Sequence, residues 1–456
     1  MFKKQIIYFY LASLIFINSC YNICLAQSLY QTLSKVYLNS PLLKSNQLKL
    51  EAINEELAKA ISNNRPKLSI YGNIGSDKTK TVNTSGVEST KNNNPKSLGI
   101  ELTQNLYDFG RAKSLINIAD ATIFAQRAEL RHQEQEILLE TSKIYFRLLA
   151  FIEINKLAKN NLILLQKHYQ ATSDKFEIGE ATSTDLSLAK ARYLRAKSDE
   201  IKSVGDIEKE KSKYFSLVGI DAPKNLFFPE NRIKLPTKLK EITREVLKEN
   251  PKIIASGFRK KLSFIKISSA ATKLLPSLDL NLSAQNAWAP NTFFDEYENY
   301  KMELNLNFPL YSGGYNYSNV RQKKKEAMQE SKILDYNIKG VLKETEMLWI
   351  DLNSLESQIV SIEATIVANE MAVDGVKKEY EVGLRTLLDV LDSEQGLLEE
   401  KVEVIKAKRD KFITVFSLIA NTGKLSPKQL KLNVDFYDYE KNYSAVKNLW
   451  LGFDDK

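Results

Sequence analysis

The chain has 456 residues, 43% of them hydrophobic and 27% charged, with a mean hydropathy of −0.31. Those values exclude a polytopic helical membrane protein, and beyond the first residues no stretch reaches the ~20 apolar residues a spanning helix requires. A net charge of +9 over this length is a mild excess rather than a dense basic footprint, so no nucleic-acid partner is expected.

At the N-terminus, Lys3 and Lys4 precede an apolar run from Ile6 to Ile17, and Cys24-Leu25-Ala26 ends in a small residue. This is the pattern of a secretory leader, and 1–26 is expected to be a signal peptide cleaved after Ala26. Ile17-Asn18-Ser19-Cys20 offers an alternative lipoprotein site, in which Asn18 fits poorly. Both cysteines, Cys20 and Cys24, fall in this segment, so the exported chain is expected to lack a disulfide, a thiolate metal site and a thiol nucleophile.

The next elements, taken in order, form one set. Residues 42–64 are rich in Lys, Glu, Ala, Leu and Ile and read as helix, ended by Pro66. Strand 66–80 alternates Leu68, Ile70 and Ile74 with polar positions. After a polar loop, strand 96–107 alternates Leu98, Ile100, Leu102 and Leu106 with Glu101, Thr103 and Asn105. A helical hairpin, 111–218, follows. Its first arm runs to about residue 176, ~100 Å at ~1.5 Å per residue; a tip at Gly179 reverses it and the second arm spans 185–218.

The second half repeats the first. Helix 252–274 is followed by strands 276–288 and 300–311 and by a helical hairpin over 315–422, with its tip at Gly383. The pairs Tyr107/Tyr311, Gly110/Gly314, Gly179/Gly383 and Gly219/Gly423 share one offset of 204, and Pro41–Pro66 and Pro251–Pro276 share one spacing of 25. Only the stretch between the second proline and the Leu-Tyr pair differs, being six residues longer in the first half. The chain therefore divides into a first repeat, 27–220, a second repeat, 221–425, and a tail, 426–456, that carries aromatics without a readable pattern.

Alternation of this kind suits a sheet with one face on a soluble core, or a membrane barrel wall that is apolar to lipid and polar to a lumen. The strands approach the ~9–11 residues of a tilted membrane strand, and no other apolar segment of matching size could cover the sheet. Four strands cannot close a barrel, whose practical minimum is ~8, and an open edge in lipid leaves backbone groups unpaired. The barrel reading thus requires several copies. Helices this long without a globular core imply lateral coiled-coil packing; a periplasmic coiled-coil adaptor without a pore is the alternative.

No catalytic constellation is legible. His132 and His168 lie inside the first long helix among Glu, Gln and Leu and read as solvated coiled-coil positions, and no glycine-rich phosphate loop follows a strand. No enzyme activity, cofactor or intrinsic metal is expected. At the tips, Gly179 and Gly383 suit a turn with positive φ. Asp185 and Asp389 occupy the first turn of each returning helix, where negative charge is favoured. Arg385 and Asp392 have Ala181 and Leu188 as counterparts, so the fold does not demand them. Asp389 and Asp392, three apart, share one helix face; if that face lines a narrow entrance, copies around an axis form an acidic ring that admits cations.

The duplication, the segment Leu106-Tyr107-Asp108-Phe109-Gly110 and above all Tyr380-Glu381-Val382-Gly383-Leu384-Arg385-Thr386-Leu387-Leu388-Asp389-Val390-Leu391-Asp392 resemble the TolC-like outer-membrane factors over residues 28 to about 425. The resemblance implies a fold of helix plus membrane β: a homotrimer whose protomers each give four strands to a 12-stranded barrel continuous with a periplasmic α-helical tunnel. It implies a passive exit duct of a tripartite efflux pump or type I secretion system in outer-membrane lipid, partnered by a periplasmic adaptor at the tips Glu180–Thr184 and Leu384–Leu388 and by an inner-membrane pump. It also implies that Arg385, Tyr380, Thr184 and Asp185 form a latch closing the entrance, and that the tail wraps the tunnel's waist.

Overall fold

The computed structural model describes residues 28–223, 226–229, 235–290 and 295–453; the expected leader, with Cys20 and Cys24, lies outside them. The element order is the same in both halves apart from an extra pair of strands in the first. Helices α1 (Leu29–Asn39) and α2 (Pro41–Ser62) lead to strands β1 (Lys67–Ile74), β2 (Asp77–Val82), β3 (Glu88–Asn93) and β4 (Lys96–Tyr107), then to helices α3 (Arg111–Glu177) and α4 (Ser183–Val218). Helices α5 (Leu239–Glu249) and α6 (Pro251–Thr272), strands β5 (Ser277–Trp288) and β6 (Glu296–Asn307), and helices α7 (Tyr315–Glu381) and α8 (Leu387–Asn421) repeat the plan, and the short α9 (Lys441–Lys447) follows. Helices α3 and α7 have 67 residues each and stand 204 apart, whereas everything from α1 to β1 stands 210 from its counterpart.

Local chemistry explains the boundaries. Pro41 and Pro251 occupy the first helical position, where no N–H is needed. Asp108 opens α3 by accepting from Gly110 N at 3.0 Å and Ala112 N at 2.6 Å, and Gly110 supplies φ +85°. Ser28 caps α1 with a reciprocal bond to Gln31.

Two compact units result, each assembled from three sequence stretches. The first holds the described residues through Leu43, together with Gln133–Asn250 and Val341–Phe436. Its core gathers Tyr145, Phe146 and Phe416 with Leu29 and Leu33 of α1, Leu425 at the end of the second repeat, and Leu430 and Leu432 from the start of the tail. Phe146 stacks on Phe412 at 5.1 Å and meets Phe416 edge-on at 5.3 Å. Burial pushes the Tyr145 hydroxyl up to about 12 although it accepts from Phe227 N at 3.4 Å; it donates to Phe227 O at 3.0 Å.

The second unit holds Lys44–His132, Pro251–Gly340 and Tyr437–Lys456. Its antiparallel sheet has the order β1-β4-β5-β6. One face lines up Leu68 with Leu102, Leu282 and Met302, and Ile70 with Ile100, Ala284 and Tyr300. The opposite face lines up Ser69 with Glu101, Ser283 and Lys301, and Asn105 with Asp279 and Asn305, with Asn105 Nδ2 donating to Asp279 at 2.8 Å. The apolar face is bare in the chain: Ile70 is 73% exposed, Met302 72% and Leu306 71%. Among the described residues the outer edges of β1 and β6 have no strand partner. The rest of the tail packs on this unit. Tyr443 donates to Asp120 at 3.1 Å, Arg127 pairs with Glu440 and lies 4.9 Å over the Tyr443 ring, and Arg65 donates to Leu449 O at 2.6 Å.

Several details differ from the sequence reading. The first strand stops at Ile74 rather than residue 80, and the polar stretch after it forms a separate two-stranded hairpin, β2–β3. The last strand runs 296–307, not 300–311. Its register against β5 sets Glu296 opposite Trp288 and Asn307 opposite Ser277, and Pro309 has no N–H with which to extend it. The 11-residue helices α1 and α5 were not anticipated.

Candidate functional site

The two helix tips lie in the first unit. Each ends its outgoing helix in a Schellman turn. At the first tip, Gly179 N donates to Phe176 O at 3.1 Å and Glu180 N to Lys175 O at 2.8 Å; at the second, Gly383 N donates to Tyr380 O at 3.0 Å and Leu384 N to Glu379 O at 2.8 Å. Gly179 and Gly383 carry φ +81° and +79°, a region that costs other residues strain.

The returning helices start on identical caps. Thr182 Oγ1 accepts from Asp185 N at 3.1 Å, and Asp185 accepts in turn from Thr182 N at 3.1 Å and its hydroxyl at 2.7 Å. Thr386 and Asp389 repeat this at 3.2, 2.8 and 2.8 Å. The Thr182 side chain and backbone bonds hold the Asp185 carboxyl below its usual range; the Thr386 backbone and side-chain bonds do so for Asp389. Both aspartates are therefore components of capping boxes, and the caps themselves, Thr182 and Thr386, had not been singled out.

Arg385, Tyr380, Thr184 and Asp392 fall close by on the same tips. Within the chain, Arg385 Nε donates to Glu379 Oε2 at 2.7 Å, with both side chains about half exposed; that bond and the Glu379 charge raise the guanidinium pKa. Thr184 is exposed in the first turn of α4. Tyr380 packs beside Leu165, Leu387 and Leu391, and Lys175 Nζ sits 5.6 Å from its ring centre. Asp392, exposed next to buried Leu391, accepts from Arg192 Nη2 at 2.5 Å. The two acids of the expected ring are thus held differently, Asp389 by its own helix start and Asp392 by a cation on α4.

One constellation was missed. Glu394, with a side chain only 6% exposed, stands 2.6 Å from Lys377 Nζ and 3.2 Å from His168 Nε2. Burial works to raise this carboxyl, but the bonds and charges of His168 and Lys377 outweigh it and hold it low. His168 is therefore not a bystander on a solvated face: its ring is engaged with an acid on α8. The three residues come from three helices, and no local spacing signals them. Arg192 was missed for the same reason, whereas Glu379 lies only six residues before Arg385 and becomes its partner through the fold of the tip. Among the described residues there is no cluster of His, Cys, Asp or Glu suited to a metal ion.

Set beside known proteins, residues 32–211 and 242–424 match the family model described as outer membrane efflux protein. The chain is 27% identical over 431 residues to the outer membrane efflux protein BepC of Brucella suis biovar 1 (strain 1330), covering 94% of this chain and 92% of that one. It is 22% identical over 419 residues to the outer membrane protein TolC of Escherichia coli (strain K12), covering 89% and 84%. The fold matches the crystal structure of the Campylobacter jejuni CmeC outer membrane channel with a TM-score of 0.77 at 17% identity, covering 92% of this chain and 89% of that one.

Proposed function

The chain belongs to the outer membrane efflux protein family, and from that premise we propose that it is a passive exit duct, part of a tripartite efflux pump or a type I secretion system. The observation that carries this reading is the sheet of the second unit, one face apolar and bare, the other polar, with open edges at β1 and β6. In water such a face is a liability; against lipid it is stable once every backbone group is paired. Closing the edges with further copies satisfies that condition, and three copies of four strands give a barrel of the size the family resemblance implies.

The duct performs no reaction. Its own contribution is a wall, a polar lumen and an entrance. At the tips, Asp389 and Asp392 repeated around the axis form a ring that favours cations and binds multivalent ones. In this reading Arg385 exchanges Glu379 for Thr184 and Asp185 of an adjacent hairpin, and the entrance so closed opens on contact with a periplasmic adaptor and an inner-membrane pump. The energy for transport comes from that pump.

The test is single-channel conductance of the purified protein in a planar bilayer, followed by a trivalent cation on the helix-tip side. Cation-selective openings blocked by the ion are expected. Openings without block remove the acidic ring and keep the duct. A folded oligomer with no openings favours a coiled-coil adaptor or scaffold instead.

A further inference from the structure

The tail climbs the second unit toward the sheet, and its contacts mark the path. Along α2, Tyr437 donates to Glu51 at 3.1 Å, Asn442 accepts from Asn54 at 2.8 Å, and Leu449 O accepts from Arg65 Nη1 at 2.6 Å. Along α3 the numbers fall as the tail advances: Glu440 pairs with Arg127, and Tyr443 donates to Asp120 at 3.1 Å. The tail therefore moves toward the end of α2 and the start of α3, where both helices meet the strands. Arg65 stands two residues before β1, and Gln104 of β4 donates to Asn64 O at 3.1 Å.

At that level the tail lays its apolar side chains bare. Trp450 is 66% exposed, Leu451 92%, and Phe453 fully. Three large apolar residues in four positions are a liability in water. They are not packed on the helix beside them, because a groove of about 580 Å³ stays open between Glu55 and Ala58 of α2 and Trp450 and Phe453 of the tail. Trp450 is nonetheless held in place, with the Arg65 guanidinium 4.4 Å from its ring centre. Among the described residues that guanidinium has no carboxylate partner; its Nη1 donates to the Leu449 carbonyl. Leu68, which opens the bare apolar face of the sheet, follows Arg65 by three residues and is 65% exposed. The exposed end of the tail thus continues the surface that meets lipid.

We propose that Trp450, Leu451 and Phe453 anchor the tail in the headgroup region of the periplasmic leaflet of the outer membrane, with Arg65 taking a phospholipid phosphate beside the Trp450 ring. The proposal rests on the duct reading above, which sets the bare face of the sheet in lipid. The chemistry of each group fits that depth. An indole places its apolar body against acyl chains and its N–H among headgroups. A guanidinium without an acid presents parallel N–H donors that match phosphate oxygens, and its apolar stem lies along the surface while its charge stays in the wet layer. Because the tail crosses both α2 and α3 on its way, lipid contact at its end ties those helices to the membrane surface and fixes the depth at which the wall gives way to the tunnel.

The experiment uses the full exported chain in phosphatidylethanolamine–phosphatidylglycerol vesicles, with an environment-sensitive fluorophore on Leu451→Cys. Met302→Cys on the bare face and Ser85→Cys in the β2–β3 turn serve as lipid and water references. Quenchers are iodide in the buffer and nitroxide lipids labelled near the headgroup end or deep in the acyl chain. At Leu451→Cys, iodide quenching several-fold weaker than at Ser85→Cys, and stronger quenching by the shallow nitroxide than by the deep one, are expected. Arg65→Gln should weaken that shallow quenching, and no change would remove the phosphate contact. Iodide access equal to that at Ser85→Cys overturns the anchor. Shielding from iodide without nitroxide quenching also overturns it and shows that another copy covers the tail. The unlabelled chain gives an independent reading: Trp450→Phe should lose part of the tryptophan emission that the shallow nitroxide quenches, and an unchanged quenched share counts against the anchor. If Met302→Cys is itself untouched by either nitroxide, the duct reading fails and the anchor with it.

Discussion

The carboxylate of Glu394 stands between Lys377 at 2.6 Å and His168 at 3.2 Å, so one buried acid on the second hairpin holds a side chain of the first. Its carboxyl is depressed below the usual range. Such a group contributes stability that is fully present above the unfolded value of ~4.3 and is lost as pH falls through the lower folded value. Glu394→Gln should cost about 1–2 kcal/mol at pH 7, reduced from the full penalty of a broken buried pair because Lys377 can turn to solvent. The melting temperature of this variant should converge on that of the parent as pH is lowered below about 4. An unchanged gap at low pH would show that packing, not charge, sets the effect.

The cap hydroxyls make a second prediction. Thr386→Val removes the acceptor for Asp389 N and should cost about 1 kcal/mol, felt first as faster amide exchange over Leu387–Leu391. The Asp185 and Asp389 carboxyls are also held low, so both caps weaken as pH falls through their folded values. Exchange rates at the first turn that do not respond to the substitution would contradict the capping role.

Two glycines should respond in opposite directions. Gly383 has φ +79° and open space around a built Cβ, so Gly383→Ala meets only backbone strain, about 1–2 kcal/mol of destabilisation. Gly340 lies inside α7, with nothing within 4 Å of a built Cβ, and Gly340→Ala should stabilise by about 0.5–1 kcal/mol. Thermal melts of the two variants check both signs.

Arg385 and its present partner separate the latch from a purely local pair. Arg385→Ser should raise the resting conductance several-fold. Glu379→Gln should not, because it frees Arg385 for the neighbouring hairpin instead of removing it. Equal leakage from both variants would mean that the bond to Glu379 itself keeps the entrance closed.

Arg192 tests the ring. It neutralises Asp392 at 2.5 Å, so Arg192→Ala should strengthen block by a trivalent cation several-fold, and Asp392→Asn should weaken it. Block titrations in the bilayer measure both.

Much of the fold was legible because its signals are periodic and long. The 67-residue helices begin and end within about one residue of the positions that composition and the tip glycines indicate. The missing pieces have physical reasons. Strands β2 and β3 are Lys, Thr, Ser and Asn on nearly every position and are almost wholly exposed, so no buried face writes an alternation into them. The end of β6 depends on its register against β5 and on Pro309, not on where the apolar alternation stops. At the tips, residue types and turn geometry could be read locally. The ties Arg192–Asp392 and His168–Glu394, each 200 residues or more apart in sequence, exist only once the helices pack.

The strand connections add a last consequence. The one between β1 and β4 carries its own hairpin, whereas that between β5 and β6 is short. In the proposed ring of three copies the wall would be close to sixfold, since each copy contributes two similar halves. The rim would not be, because long and short connections alternate. A binder selected against the rim these connections form would therefore tell one third of a turn from one sixth.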